Sequence, residues 1–115
     1  MIKKLVTIAA LAMLLGSPAS YADLTTGNVL AADCEDAGSL IDITSPRAFG
    51  HGFCYGFAFG VSDSIQGEAA CPPEGVTGKQ VVSIVKKYLK ENPENLHEPA
   101  DELVTIALMK AFPCD

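Results

Sequence analysis

The sequence predicts an all-α domain: a small, disulfide-stapled bundle of about four helices with a central buried helix at 51–66. Three observations predict it. Residues 79–89 and 99–111 repeat apolar side chains at helical spacing. The apolar stretch FCYGFAFGVSD (53–63) has no strand to pair with. Four cysteines, an even number, lie at Cys34, Cys54, Cys71 and Cys114.

The chain opens on a segment with the marks of an export signal. Lys3 and Lys4 precede an uncharged apolar run from Leu5 to Leu15, broken by Gly16 and Pro18. Ser20 and Ala22 then supply small residues at the −3 and −1 positions of a cleavage site. Cleavage is expected after Ala22, making 1–22 a signal peptide and 23–115 a single domain. The apolar run is shorter than the roughly 20 residues a bilayer span needs. Four cysteines in a short exported chain read as two disulfides.

Residues 26–40 form the first expected helix, capped by Thr25 or Thr26, with Val29, Leu30, Asp33 or Cys34, and Ala37 facing inward. Pro46, after Thr44 and Ser45, ends anything helical before it. Within 53–63 the letters also alternate as a strand would. A lone strand would leave its backbone polar groups unpaired, so 51–66 reads as a helix that is apolar nearly all round, hence central. Gly52, Gly56 and Gly60 line one face of it, where neighbouring backbones could approach closely.

The third helix, 77–91, is the clearest. Val81, Val82, Ile84, Val85, Tyr88 and Leu89 take one face, while Lys79, Lys86, Lys87 and Lys90 take the other. Thr77 and Gln80 make a capping box, and Asn92-Pro93 ends the helix. The fourth, 99–112, starts with Pro99 in its first turn. Its stripe is Ala100, Leu103, Val104, Ala107, Leu108 and Ala111, and Pro113 stops it. Short connections make successive helices antiparallel. That brings Cys34 toward Cys54, and Cys71 toward Cys114, the two disulfides expected.

Composition excludes several functions. The chain has 8 basic and 14 acidic residues, a net charge of −6; the residues after Ala22 keep 6 basic and 14 acidic, a net −8. That balance opposes nucleic-acid or anionic-membrane binding. No CxxC pair exists, and His51-x-x-Cys54 alone does not make a zinc site. No third group orients a Cys54–His51 pair for nucleophilic chemistry. The chain is expected to be no enzyme and to hold no cofactor or metal.

The motifs FCYGFAFGVSD, CPPEGVTGKQ and KYLKENPENLHEPADELVTIALMKAFPC, in that order, closely resemble the Rap/Tai family of type VI secretion immunity proteins. The resemblance covers roughly residues 30–114. It implies a small, periplasmic, disulfide-bonded helical protein, often a homodimer. It further implies binding and blocking of a peptidoglycan amidase toxin, with no catalysis of its own. A loop entering the amidase cleft, with its catalytic Cys and His, would present carboxylates or amides. Two stretches offer them: 64–78 with Gln66, Glu68 and Glu74, and 92–98 with Asn92, Glu94, Asn95 and Glu98. The first is favoured because it is long for a helix–helix turn and stapled at Cys71. The bland alternative for both is a solvated connector.

Gly56, Gly60, Asp63 and Tyr88 read as structural. Asp63 is expected to bond a neighbouring helix end, and the Tyr88 hydroxyl to find a polar partner. His51 and His97 read as caps or surface residues. A different function, an acid-activated periplasmic chaperone of the HdeA type, is the alternative: protonation of 14 carboxylates would loosen the Phe-rich core. A non-catalytic envelope structural protein is a third.

Overall fold

The computed structural model describes residues 25–35, 44 and 46–115. The expected signal peptide, residues 36–40 of the first helix, and Ala37 with them lie outside the described residues. Helix α1 spans Gly27–Cys34, α2 Pro46–Ile65, α3 Gly78–Glu91 and α4 Ala100–Ala111, with a 3₁₀ turn at Pro93–Asn95. Among the described residues there is no strand, only two isolated bridges.

Helix α1 buries Leu30 and Cys34 and turns Val29 outward, half exposed, against the expectation that Val29 faces in. Its first turn sits tightly against α4. A Cβ at Gly27 would run into the Leu103 side chain and lie 3.0 Å from the Leu96 backbone, so a larger residue fits only if these neighbours shift. The same segment is held by backbone bonds. Gly27 N–H donates to the Glu98 carbonyl at 3.0 Å, Asn28 N–H to Leu96 at 2.7 Å, and Ala100 N–H to Thr25 at 3.0 Å. The last of these satisfies a donor that the start of α4 would otherwise leave open.

Helix α2 begins at Pro46, five residues before its expected start at His51. Proline serves there as an opening residue, because its fixed φ and missing N–H both suit a first turn. The helix is central, packing against α1, α3 and α4. Its inner face carries His51, Cys54 and Ala58, all buried. His51 is therefore a core residue, not a cap or surface group. Along the flanks, Phe53 stacks on Phe57 (ring centroids 5.7 Å apart) and Tyr55 meets Phe59 edge-on at 5.6 Å.

Burial of α2 is one-sided. Gly52, Gly56 and Gly60 are exposed, and a methyl group at any of them would meet nothing within 4 Å. The expectation that close packing within the chain offsets their roughly 1 kcal/mol each of lost helix propensity is not met. The glycine where α1 and α2 come together is Gly50, whose added Cβ would lie 2.8 Å from the Asp33 carboxylate.

Helix α3 carries the capping box. Gln80 N–H donates to the Thr77 hydroxyl at 3.2 Å and Thr77 N–H to the Gln80 side-chain oxygen at 2.8 Å. Thr77→Ala is expected to cost about 1 kcal/mol, measured by urea denaturation. An unchanged midpoint would show that the box contributes nothing. Val81, Val82, Val85 and Leu89 are buried, while Ile84 and Tyr88 pack partly buried on the core. Helix α4 buries Ala100, Leu103, Val104, Ala107 and Leu108; Ala111, expected in the stripe, is exposed. Pro99 stands one residue before the helix, at its N-cap. Asp101 and Glu102 occupy the first turn, where the helix dipole favours them.

Both expected disulfides are present. Cys34–Cys54 joins α1 to α2 with the Cα atoms 5.2 Å apart, and Cys71–Cys114 joins the α2–α3 loop to the tail after α4 at 4.9 Å.

Candidate functional site

The loop between α2 and α3 is two tight turns joined at a staple. The first closes α2: Glu68, Ala69 and Ala70 N–H groups all donate to the Ile65 carbonyl, at 3.1, 3.0 and 3.3 Å. Gly67 there has φ 82°, a conformation that glycine adopts freely just past a helix end. Cys71 follows, bonded to Cys114 and donating its N–H to the Phe112 carbonyl at 2.8 Å. Pro72 and Pro73 lead into the second turn. Val76 N–H closes it on the Pro73 carbonyl at 3.3 Å, with Gly75 at φ 92° in the third position, where a type II turn demands positive φ.

This arrangement places Glu68 in the first turn and Glu74 in the second, both exposed. Gln66, the residue after the end of α2, is also exposed. Phe59, Asp63, Gln66, Pro73, Glu74 and Val76 line a groove of about 540 Å³ beside the loop. The chemistry it presents is acidic and amide, on backbone fixed at both ends. A loop held this way loses little conformational freedom on binding. Asp63, expected to bond a helix end, is instead exposed, and its carboxylate makes no hydrogen bond or ion pair among the described residues.

The second candidate stretch is committed elsewhere. Asn92 caps α3, its side chain donating to the Tyr88 carbonyl at 2.8 Å. Asn95 N–H donates to the Asn92 carbonyl at 3.1 Å, and Glu98 N–H to Asn95 at 2.9 Å. The carbonyls of Leu96 and Glu98 receive the start of α1. Glu94 and Glu98 remain exposed, with His97 Nε2 3.2 Å from the Glu98 carboxylate. Since α3 has 14 residues, the two stretches sit at opposite ends of a helix about 20 Å long. They do not form one patch. Tyr88, in the last turn of α3, lies under the Lys110 ammonium, 5.2 Å from the ring centroid, and its hydroxyl, expected to find a polar partner, makes no hydrogen bond among the described residues.

Phe49 escapes sequence reasoning. It is 81% exposed on the first turns of α2, upstream of the expected helix start. The signal that could have found it is its place three residues before Gly52, on the glycine face. Among the described residues no group of three or more His, Cys, Asp or Glu side chains could hold a metal ion. No helix there is long and apolar enough to cross a membrane.

Among the described residues the chain is a small helical scaffold, stapled twice, whose longest loop is acidic and tied down by Cys71–Cys114 and by backbone hydrogen bonds. The family model for the Rap1a immunity proteins matches residues 26–114. The chain belongs to that family, and its implied partner is a toxin. No curated protein matches the chain.

Proposed function

We propose that this chain is a periplasmic immunity protein that binds and blocks a peptidoglycan amidase toxin delivered by type VI secretion. Family membership supports the immunity role. Two disulfides support an oxidising compartment, and residues 1–22 have the composition of the signal peptide that would lead there. The protein acts as a homodimer and carries no catalysis of its own.

The observation that carries the amidase reading is the stapled loop. Glu68 and Glu74 stand on its two turns, exposed, their carboxylates making no hydrogen bond or ion pair among the described residues. In a cleft built around a cysteine and a histidine, a carboxylate pairs with the imidazolium and the loop backbone fills the space of the peptide substrate. Preorganisation at Cys71 keeps the ordering cost of insertion low. Glu94 and Glu98, at the far end of α3, stay outside this contact.

The double charge reversal Glu68→Lys with Glu74→Lys is expected to raise the inhibition constant against the partner amidase on the order of 10-fold or more. Thermal stability is expected to hold, because neither side chain supports the fold. Undiminished inhibition removes this loop from the mechanism.

A further inference from the structure

We propose that the Cys71–Cys114 bridge is a reduction site: a dithiol opens it in the folded protein while Cys34–Cys54 stays closed, and opening frees the loop that carries Glu68 and Glu74. The chemistry stands apart from the toxin; only its effect on inhibition rests on the reading above. The two bridges differ in access. Cys34 and Cys54 are 1% and 0% exposed, inside the core with Leu30 and Ala58. Cys114 is exposed and Cys71 half-buried. Exchange begins when a thiolate reaches a disulfide sulfur. One bridge therefore meets a reductant at the surface, and the other meets it only after α1 lifts from α2.

The surroundings name the class of reductant. Attack on the Cys114 sulfur makes a mixed disulfide there and expels the Cys71 sulfur as a thiolate. All four cysteines of the chain are bridged, so the one protein thiol beside the mixed disulfide is Cys71 itself. It attacks back and expels a monothiol. A dithiol prevents this, because its second thiol attacks the reagent sulfur bonded to Cys114, closes a ring and releases Cys114. The two electrons come from the dithiol, which leaves as a cyclic disulfide, and its two protons end on Cys71 and Cys114. Charge adds to the preference. Glu68 and Glu74 stand on either side of Cys71, and no basic side chain lies between Asp63 and Gly78, so an anionic monothiol is repelled as well.

Opening this bridge loosens a defined part of the molecule. Cys114 Sγ lies 3.9 Å from the Glu68 carbonyl oxygen, so the bridge seats the tail after α4 against the first turn of the loop. Beyond Phe112 no backbone group of that tail makes a hydrogen bond among the described residues. Once Cys114 is free, the backbone bond left between loop and tail is the one from Cys71 N–H to the Phe112 carbonyl. The turn on the Ile65 carbonyl and the burial of Ala70, 2% exposed, still close the end of α2. What is lost is the tether at the base of the two turns, and with it the low ordering cost of presenting their carboxylates.

The oxidised protein is incubated with dithiothreitol at neutral pH without denaturant, quenched with iodoacetamide and mapped by peptide mass. Alkylation of Cys71 and Cys114 is expected on the order of 100-fold faster than alkylation of Cys34 and Cys54, with the helical circular dichroism retained. Opening of Cys34–Cys54 first, or of both bridges at one rate, overturns the proposal. A glutamate-specific protease reads the loop. Cleavage after Glu68 or Glu74 is expected on the order of 10-fold faster in the doubly alkylated form than in the oxidised protein, and ahead of cleavage after Glu102 in α4. An unchanged rate in the loop overturns its release. In an amidase assay the doubly alkylated form, like the variant Cys71→Ala with Cys114→Ala, is expected to inhibit on the order of 10-fold more weakly than the oxidised protein; equal inhibition overturns the effect assigned to opening. Absence of inhibition by the oxidised protein counts against the amidase alone, and the mapping and proteolysis results then decide the reduction site by themselves.

Discussion

Replacing Cys71 and Cys114 together with alanine is expected to lower the unfolding free energy by about 4 kcal/mol. The bridge closes a segment with a sequence separation of 43, and the chain-entropy estimate for a loop of that size is about 4 kcal/mol. The corresponding loop between Cys34 and Cys54, a separation of 20, gives about 3 kcal/mol. Urea denaturation of the double variant measures the difference. The effect should extend to inhibition, because this staple fixes the turns carrying Glu68 and Glu74. A loss of stability under about 1 kcal/mol would contradict the entropic estimate and show that the Cys71–Phe112 backbone bond and the burial of Ala70 hold the loop without it.

Leu30→Ala is expected to be nearly as severe, at about 3 kcal/mol within the range measured for buried leucines. Leu30 is fully buried, and α1 has only eight residues, of which Gly27, Leu30 and Cys34 alone are buried. Removing its side chain leaves a cavity that a helix pinned at both ends cannot close. One end is tied by the Cys34–Cys54 bridge and the other by the backbone bonds to residues 96–100. In a domain of this size each kcal/mol lowers the thermal midpoint by about 4–8 °C, so the drop should exceed about 10 °C. Val29→Ala is the control: exposed and one residue away, it should change stability by less than about 0.5 kcal/mol. Equal effects at the two positions would mean that α1 does not seat Leu30 in the core.

Much of this fold was legible because two helices have strong period and clear punctuation. Thr77 with Gln80, the lysine-lined outer face and Asn92-Pro93 define α3 almost to the residue. The same clarity made the helices antiparallel on paper, and the disulfide pairing followed. Helix α2 was harder for a physical reason. Apolar residues occur all round it, so hydrophobicity identifies it as central without saying which side faces outward. A glycine row is equally consistent with a face that another helix covers and a face left open. Pro46 also has two meanings, stop and start, and the letters around it do not choose.

The candidate loop was legible as a loop, with its staple, but not in shape. That Glu68 and Glu74 occupy separate turns depends on Gly67 and Gly75 taking positive φ, which composition suggests and only the backbone decides. Asn92 and Asn95 look as available as Gln66 in the sequence. Their hydrogen bonds commit them to ending α3 and shaping the turn after it.

The order of the two bridges has a consequence for how the chain matures. Cys34 pairs with Cys54 and Cys71 with Cys114, so each cysteine joins its neighbour in sequence. A chain entering an oxidising compartment amino end first presents its first two cysteines before the third arrives. They can close while α1 and α2 dock, which leaves Cys71 no earlier thiol to capture. Simple oxidation in order of emergence then yields the native pairing, with no mispaired bridge to reshuffle. Maturation would depend on a thiol oxidase and be indifferent to a disulfide isomerase.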